Sequence, residues 1–215
     1  MMKVYSIFSS VNGEVGPLGI GSPCTFIRFA GCSAGCLWCD TKYAEDPSSG
    51  KDMSADDVLR EVISRPSKNI TITGGEPLEQ ARSLCVLLGL LATQKYNVTV
   101  ETNGLHDFDA KDYGNIHWVV DIKPRLPVSK SRIINMHLRT TDFIKIVVGS
   151  YQEFLGMLYT KMQLQFAGVA ARFAFSPEYG RVTPNTLLKW IMESKEGDIY
   201  LNFQAHKELN LSEPD

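Results

Sequence analysis

The chain has 215 residues, 44% of them hydrophobic, with 22 basic and 24 acidic side chains and a formal charge of −2. That length can bury one sizeable core, read here as a single domain over residues 1–215. The near-neutral balance excludes a strongly basic nucleic-acid binder, and no apolar run approaches the ~20 residues needed to span a bilayer. The opening "MMKVYSIFSS" lacks the long apolar core of a signal peptide, so a cytoplasmic location is expected. In that reducing compartment, five cysteines point to metal or redox chemistry more than to disulfides.

In chain order, "VYSIF" (4–8) and "TFIRFAG" (25–31) read as strands around the glycine-rich loop "SSVNGEVGPLGIGSP". Residues 54–65 read as a helix, with Ser54 as N-cap and Asp57 placed to close a capping box. "NITIT" (69–73) is the next strand, followed by "GGEP" and a helix over 78–93. The strands "NVTVET", "HWVVDIK" and "DFIKIVVG" follow, then a helix over 151–162 and the strand "ARFAF". "TPNTLLKWIMESK" has a Thr cap with Pro at the first helical position, and "DIYLNF" closes the series. Strands alternating with helices imply an α/β fold of βαβ units with a parallel sheet. The unusual residues follow strand ends, at Cys32, "TGGEP", "ETNG", "DIKP" and "FSPEYG". In parallel α/β architectures the carboxyl ends of the strands form the ligand crevice.

Cys32, Cys36 and Cys39 form C-x3-C-x2-C within "GCSAGCLWCDT". A structural zinc site would need a fourth ligand, for which Cys24, Cys85 and the four histidines are candidates. Such sites bring ligands in close pairs, and no second pair is present. Cys24 and Cys85 lie in apolar strand and helix contexts and read as small buried hydrophobes. A [4Fe–4S] cluster normally takes four thiolates, so three would leave one iron open to a small molecule.

The stretch "CSAGCLWC" resembles the cluster motif of the radical S-adenosylmethionine enzymes. The resemblance implies an incomplete (β/α) barrel of TIM type as the radical SAM core. It also implies a [4Fe–4S] cluster whose open iron chelates S-adenosylmethionine, yielding a 5′-deoxyadenosyl radical. "TGGEP" is similar to the family's GGE motif, which implies cofactor contacts at Gly74, Gly75 and Glu76, with the glycines allowing close approach to the ligand. "ETNG" adds Glu101, although alone it is only a turn.

Within that superfamily the chain resembles the 7-carboxy-7-deazaguanine synthases over most of its length. The loop "IFSSVNGEVGPLGIGSP" is similar to one that folds over a pterin, which implies substrate contacts at Val11, Asn12, Gly13 and Glu14. Asn12 stands where the family has Gln, and Val15 where it has Gly. Arg28 lies in an apolar strand, and a buried guanidinium needs an anion. That anion is either an internal carboxylate or, on the resemblance, the carboxylate of 6-carboxytetrahydropterin. Thr73 matches a further substrate position. Thr41 corresponds to a threonine that ligates Mg2+, although a threonine here could equally cap a helix. Trp38, Cys39 and Asp40 match a cofactor-contacting segment. Asp121, Ile122 and Lys123, and Ser176, Pro177, Glu178 and Tyr179, stand at two more, where only Lys123 and Pro177 match the family's residues. "FQAHK" is similar to the family's "QTHK", which implies Gln204, His206 and Lys207 as a lid or support for the pterin pocket, against the reading of a plain solvated tail.

The implied reaction converts 6-carboxy-5,6,7,8-tetrahydropterin to 7-carboxy-7-deazaguanine with loss of ammonia, toward queuosine and related deazapurines. The implied partners are a flavodoxin or ferredoxin electron donor and a second copy in a homodimer. A glycyl-radical enzyme activase and a non-catalytic metal-binding module are the rival readings.

Overall fold

Side chains of a strand point alternately to its two faces, and this period of two separates the core of the protein from its cavity. A computed structural model describes residues 1–36 and 38–208, without the side chains of residues 112, 206 and 208. Its strands are β1 (Met2–Val11), β2 (Pro23–Phe29), β3 (Lys51–Met53), β4 (Asn69–Gly74), β5 (Asn97–Thr102), β6 (Ile116–Ile122), β7 (Phe143–Val148), β8 (Arg172–Pro177) and β9 (Ile199–Leu201). Its helices are α1 (Ala55–Ile63), α2 (Ala81–Thr93), α3 (Lys130–Asn135), α4 (Tyr151–Phe166), α5 (Pro184–Ser194) and α6 (Ala205–Glu208).

Among the described residues the strands make one sheet in the order β3-β1-β2-β4-β5-β6-β7-β8-β9. From β2 to β9 every pairing is parallel. The expected parallel sheet is nonetheless mixed, because β1 runs antiparallel to both β2 and β3. The order ends at β3 and β9 without closing, which gives the incomplete barrel.

One face of the sheet carries Ile27, Phe29, Ile70, Ile72, Val98, Val100, Val120, Ile144, Ile146 and Phe173, packed against Val58 and Val62 of α1, Leu84 and Leu87 of α2 and Phe154 of α4. Burying each such side chain contributes ~1.5–3 kcal/mol, so this face supplies most of the driving force for folding. The opposite parity carries Arg28, Thr73, Glu101, Asp121 and Lys145 on β2, β4, β5, β6 and β7. Cross-strand register sets Arg28 beside Thr73 and Asp121 beside Lys145. A polar surface is therefore laid on a rigid apolar backing.

The capping box forms as expected. The Asp57 amide donates to Ser54 Oγ at 3.1 Å, and the Ser54 amide donates to Asp57 Oδ2 at 2.9 Å. Thr183 caps α5 through the Thr186 amide. The helix expected over 78–93 begins instead as a 3-10 turn, Pro77–Gln80, with α2 proper starting at Ala81. The helix expected over 151–162 runs on to Phe166.

Cys24 is buried, with Sγ 3.1 Å from Thr71 Oγ1, and burial pushes its thiol up to about 11. The expectation of a buried Cys85 is overturned. Helix α2 buries Leu84, Leu87, Leu88 and Leu91, a three-and-four spacing that turns Cys85 outward. Its Sγ lies 3.1 Å from Tyr113 Oη.

Candidate functional site

The polar face of the sheet, the cysteine loop and the loop after β1 enclose a cavity of about 700 Å³. That volume falls in the range of small-molecule sites. Every side chain or glycine expected at the site borders it except two. Ile122 is one exception, because its parity turns it into the main core on the far face. The other is His206, whose side chain lies outside the described residues.

Cys32, Cys36 and Cys39 are free thiols on one loop after β2, all half-buried and all bordering the cavity. Burial pushes the Cys32 and Cys36 thiols up, while the nearby Lys123 cation draws Cys36 back down. Cys24 and Cys85 border no part of the cavity, so neither can be the fourth ligand of a zinc site there. Among the described residues the thiols are not gathered on a single-ion position. Three soft donors strung along one loop suit a cluster that takes one thiolate per iron.

The root of this loop is clamped by the turn after β4. The Gly75 amide donates to the Phe29 carbonyl and the Glu76 amide to the Gly31 carbonyl, both at 2.8 Å. A Cβ on Gly75 would sit 2.1 Å from the Gly31 oxygen, and Gly74 has φ +119. Here the close approach that glycine permits is first of all between two backbone segments. Glu76 is 1% exposed and accepts from the Leu78 amide, Thr102 Oγ1 and the Asn103 amide. It joins the ends of β4 and β5, and burial pushes its carboxyl up against those donors.

Thr41 precedes a 3-10 turn but makes no capping hydrogen bond. Its Oγ1 stands 3.5 Å from both Cys39 Sγ and the Gly74 carbonyl. The Trp38 ring lies under the Arg125 guanidinium at 3.9 Å, and Arg125 also pairs with Glu153 and Glu178.

On the cavity floor, Arg28 is buried between the Phe8 and Tyr43 rings, each 5.7 Å away. Thr73 Oγ1 donates to Glu101 Oε2 at 2.7 Å. Burial and the neighbouring Glu14 carboxylate push the Glu101 carboxyl up, against the pull of Lys145. Lys123 donates to Asp121 Oδ2 at 2.7 Å, and Lys145 reaches the same oxygen at 3.5 Å. Burial raises the Asp121 carboxyl, but Lys123 and Lys145 outweigh it and hold the group low.

The loop after β1 is stitched to the segment after β9. Asn12 donates to the Glu14 and Gly19 carbonyls at 2.9 and 3.1 Å, so its amino group shapes the loop itself. The Glu14 carboxylate accepts from Lys145, Asn202 and Gln204. The Val15 amide donates to Asn202 Oδ1 at 2.8 Å, and the Ala205 amide to the Gly13 carbonyl at 2.8 Å. Asn202 also holds buried Ser176 at 3.0 Å. Lys207 and Gln204 donate to Asp40 at 2.7 and 3.1 Å. Burial works to raise the Asp40 carboxyl, yet Lys207 and Gln204 hold it at about 2. The segment 202–207 is therefore a brace between the loop after β1 and the cysteine loop, not a solvated tail. Tyr179 stands largely exposed at the rim, with Lys207 5.0 Å from its ring.

Lys145 and Asn202 were not among the expected site residues. A lysine in the apolar run "DFIKIVVG", at the same parity as Arg28, was the signal for the first. Asn202 had none, since its role depends on a loop 187 residues away.

Residues 26–122 match the model of the Radical SAM superfamily. A 7-carboxy-7-deazaguanine synthase of Chlorobaculum tepidum is 30% identical, over 96% of this chain and 93% of that protein. Another, from Methanospirillum hungatei, is 31% identical over 98% of this chain and 86% of its own length. The crystal structure of QueE from Escherichia coli superposes with TM-score 0.71 at 21% identity, covering 95% of this chain and 94% of that one.

Proposed function

The chain belongs to the 7-carboxy-7-deazaguanine synthase family of radical S-adenosylmethionine enzymes, and from that premise we propose that it converts 6-carboxy-5,6,7,8-tetrahydropterin to 7-carboxy-7-deazaguanine with loss of ammonia. One observation carries the reading for this chain: the three-thiol loop, Arg28 and the Glu14 loop face one cavity. The activase and bare metal-module readings fall away with the family assignment.

Held by Cys32, Cys36 and Cys39, a [4Fe–4S] cluster supplies the reductive cleavage of S-adenosylmethionine. The chain's own groups bind, orient and exclude water. Arg28 takes the substrate carboxylate as a two-pronged donor, its plane set by Phe8 and Tyr43. Val11, Asn12, Gly13 and Glu14, with Thr73, orient the pterin ring. Trp38, Asp40, Gly74, Gly75, Glu76, Glu101, Asp121, Lys123 and the residues 176–179 hold S-adenosylmethionine, with Ile122 contributing backbone alone. Gln204 and Lys207 close the pocket. Thr41 would supply one hydroxyl oxygen to Mg2+, a hard cation that takes oxygen donors. The whole chain acts as one cytoplasmic domain, reduced by a flavodoxin or ferredoxin. Among the described residues no helix is long and apolar enough to cross a membrane.

The decisive test is anaerobic incubation with the pterin, S-adenosylmethionine and a reductant, with product detected by mass spectrometry. Deazapurine should form, and faster with Mg2+. Cleavage of S-adenosylmethionine without pterin loss overturns the substrate assignment.

We also propose that a homodimer forms through α4. Tyr151, Leu155, Tyr159, Met162 and Phe166 stand exposed every three or four residues along it, while its charged Glu153 and Lys161 do not. An uncharged patch set against its own copy across a two-fold axis meets no like charge. Leu155→Glu should then sediment as a monomer, and a dimer of unchanged strength would place the contact elsewhere.

A further inference from the structure

Lys145 is 7% exposed on β7 and borders the cavity. A lysine there is costly to bury unless carboxylates surround it. It pairs with Glu14 from the loop after β1 and, at 3.5 Å, with Asp121 from the neighbouring strand. Burial draws its ammonium down, but Asp121, Glu14 and Glu101 together push it well above the usual lysine value, so it stays charged.

The loop has a second anchor one residue away. Val15, 8% exposed, packs with Val119, Phe143 and Ala174 on the same face of the sheet. The two anchors do different things. An apolar plug fixes where the loop lies, but it exerts no directional hold on a carboxylate. Direction comes from the donors on Glu14, and of these, among the described residues, only Lys145 is a cation. Asn202 at 3.4 Å is a weak contact, and Gln204 belongs to the brace that follows β9.

We propose that Lys145 is a positioning residue for substrate recognition, aiming the Glu14 carboxylate into the pterin half of the cavity while Val15 keeps the loop seated. This rests on the reading of the site as a carboxytetrahydropterin pocket. It acts through Glu14, and its tie to Asp121 supplies charge balance without governing S-adenosylmethionine affinity.

The test is calorimetric, on anaerobic cluster-loaded protein, measuring pterin and S-adenosylmethionine binding separately. Lys145→Met should weaken pterin binding about 10- to 100-fold and leave S-adenosylmethionine binding within about 3-fold. Lys145→Arg, which keeps the charge, should recover most of the loss. On a Glu14→Gln background, Lys145→Met should cost no more than about 3-fold further, because its route of action is already gone. The double variant also removes the carboxylate that Lys145 contacts most closely, and thermal unfolding of each variant beside the calorimetry separates lost recognition from simple unfolding. Losses that multiply in the double variant, equal weakening of both ligands, or unchanged pterin affinity in Lys145→Met each overturn the proposal. A wild-type protein that binds no pterin overturns the pocket assignment with it.

Discussion

Cys36→Ala should lose its iron–sulfur absorbance and its turnover together, with turnover down at least ~10³-fold, about 4 kcal/mol of transition-state stabilisation. On the proposed ligation by three thiolates, one replacement removes a third of the cluster's protein ligands. No other thiol can substitute, because Cys24 is buried beside Thr71 and Cys85 faces outward on α2. The fold should survive, since Cys36 is half-buried in a loop and is not part of either apolar cluster. Thermal unfolding of the metal-free proteins should agree within ~0.5 kcal/mol. Iron and sulfide retained at wild-type levels would remove Cys36 from the ligand set.

Arg28→Ala should behave in the opposite way, keeping its iron and losing affinity for the pterin by ~10- to 100-fold, or ~1.4–2.8 kcal/mol. Arg28 stands on β2 at the parity facing the cavity, three residues from the Gly31 carbonyl that locks the cysteine loop. The lock is made by backbone atoms, so removing the side chain leaves it intact. Arg28→Lys should restore only part of the affinity, since an ammonium is a point charge without the planar fork. Binding measured by calorimetry beside iron analysis separates the outcomes. Equal loss of iron and affinity would mean that Arg28 supports the loop and does not face the substrate.

What was readable in the sequence follows from how local each signal is. Ser54 and Asp57 lie three residues apart and announce their own capping box, and the three cysteines fall within eight positions. Strands of the parallel sheet were legible because both of their faces are packed or enclosed, giving runs such as "HWVVDIK". The three-residue β3 was not, since its strand state comes from pairing with β1 and not from its own residues. Helix α3, six residues long with one buried side chain, was not foreseen. Cys85 was misjudged because apolar composition was weighed there without its phase. In α2 the buried stripe of leucines fixes the facing, and position 85 falls outside it. The site divides in the same way. Motif residues could be named one by one, whereas Lys145 and Asn202 take their meaning from partners 131 and 187 residues distant.

Those long spans also bear on how the molecule is made. Val15 and Glu14 meet Asn202 and Gln204 across 187 and 190 residues. Contacts so remote form late, because the chain between them must first be ordered. On the ribosome, the cysteine segment and its clamp at Gly75 emerge well before the residues that brace the neighbouring loop. The three thiols and their clamp can therefore be in place before the reaction chamber is complete, so that a half-synthesised chain would present its metal-binding loop while still unable to enclose anything beside it.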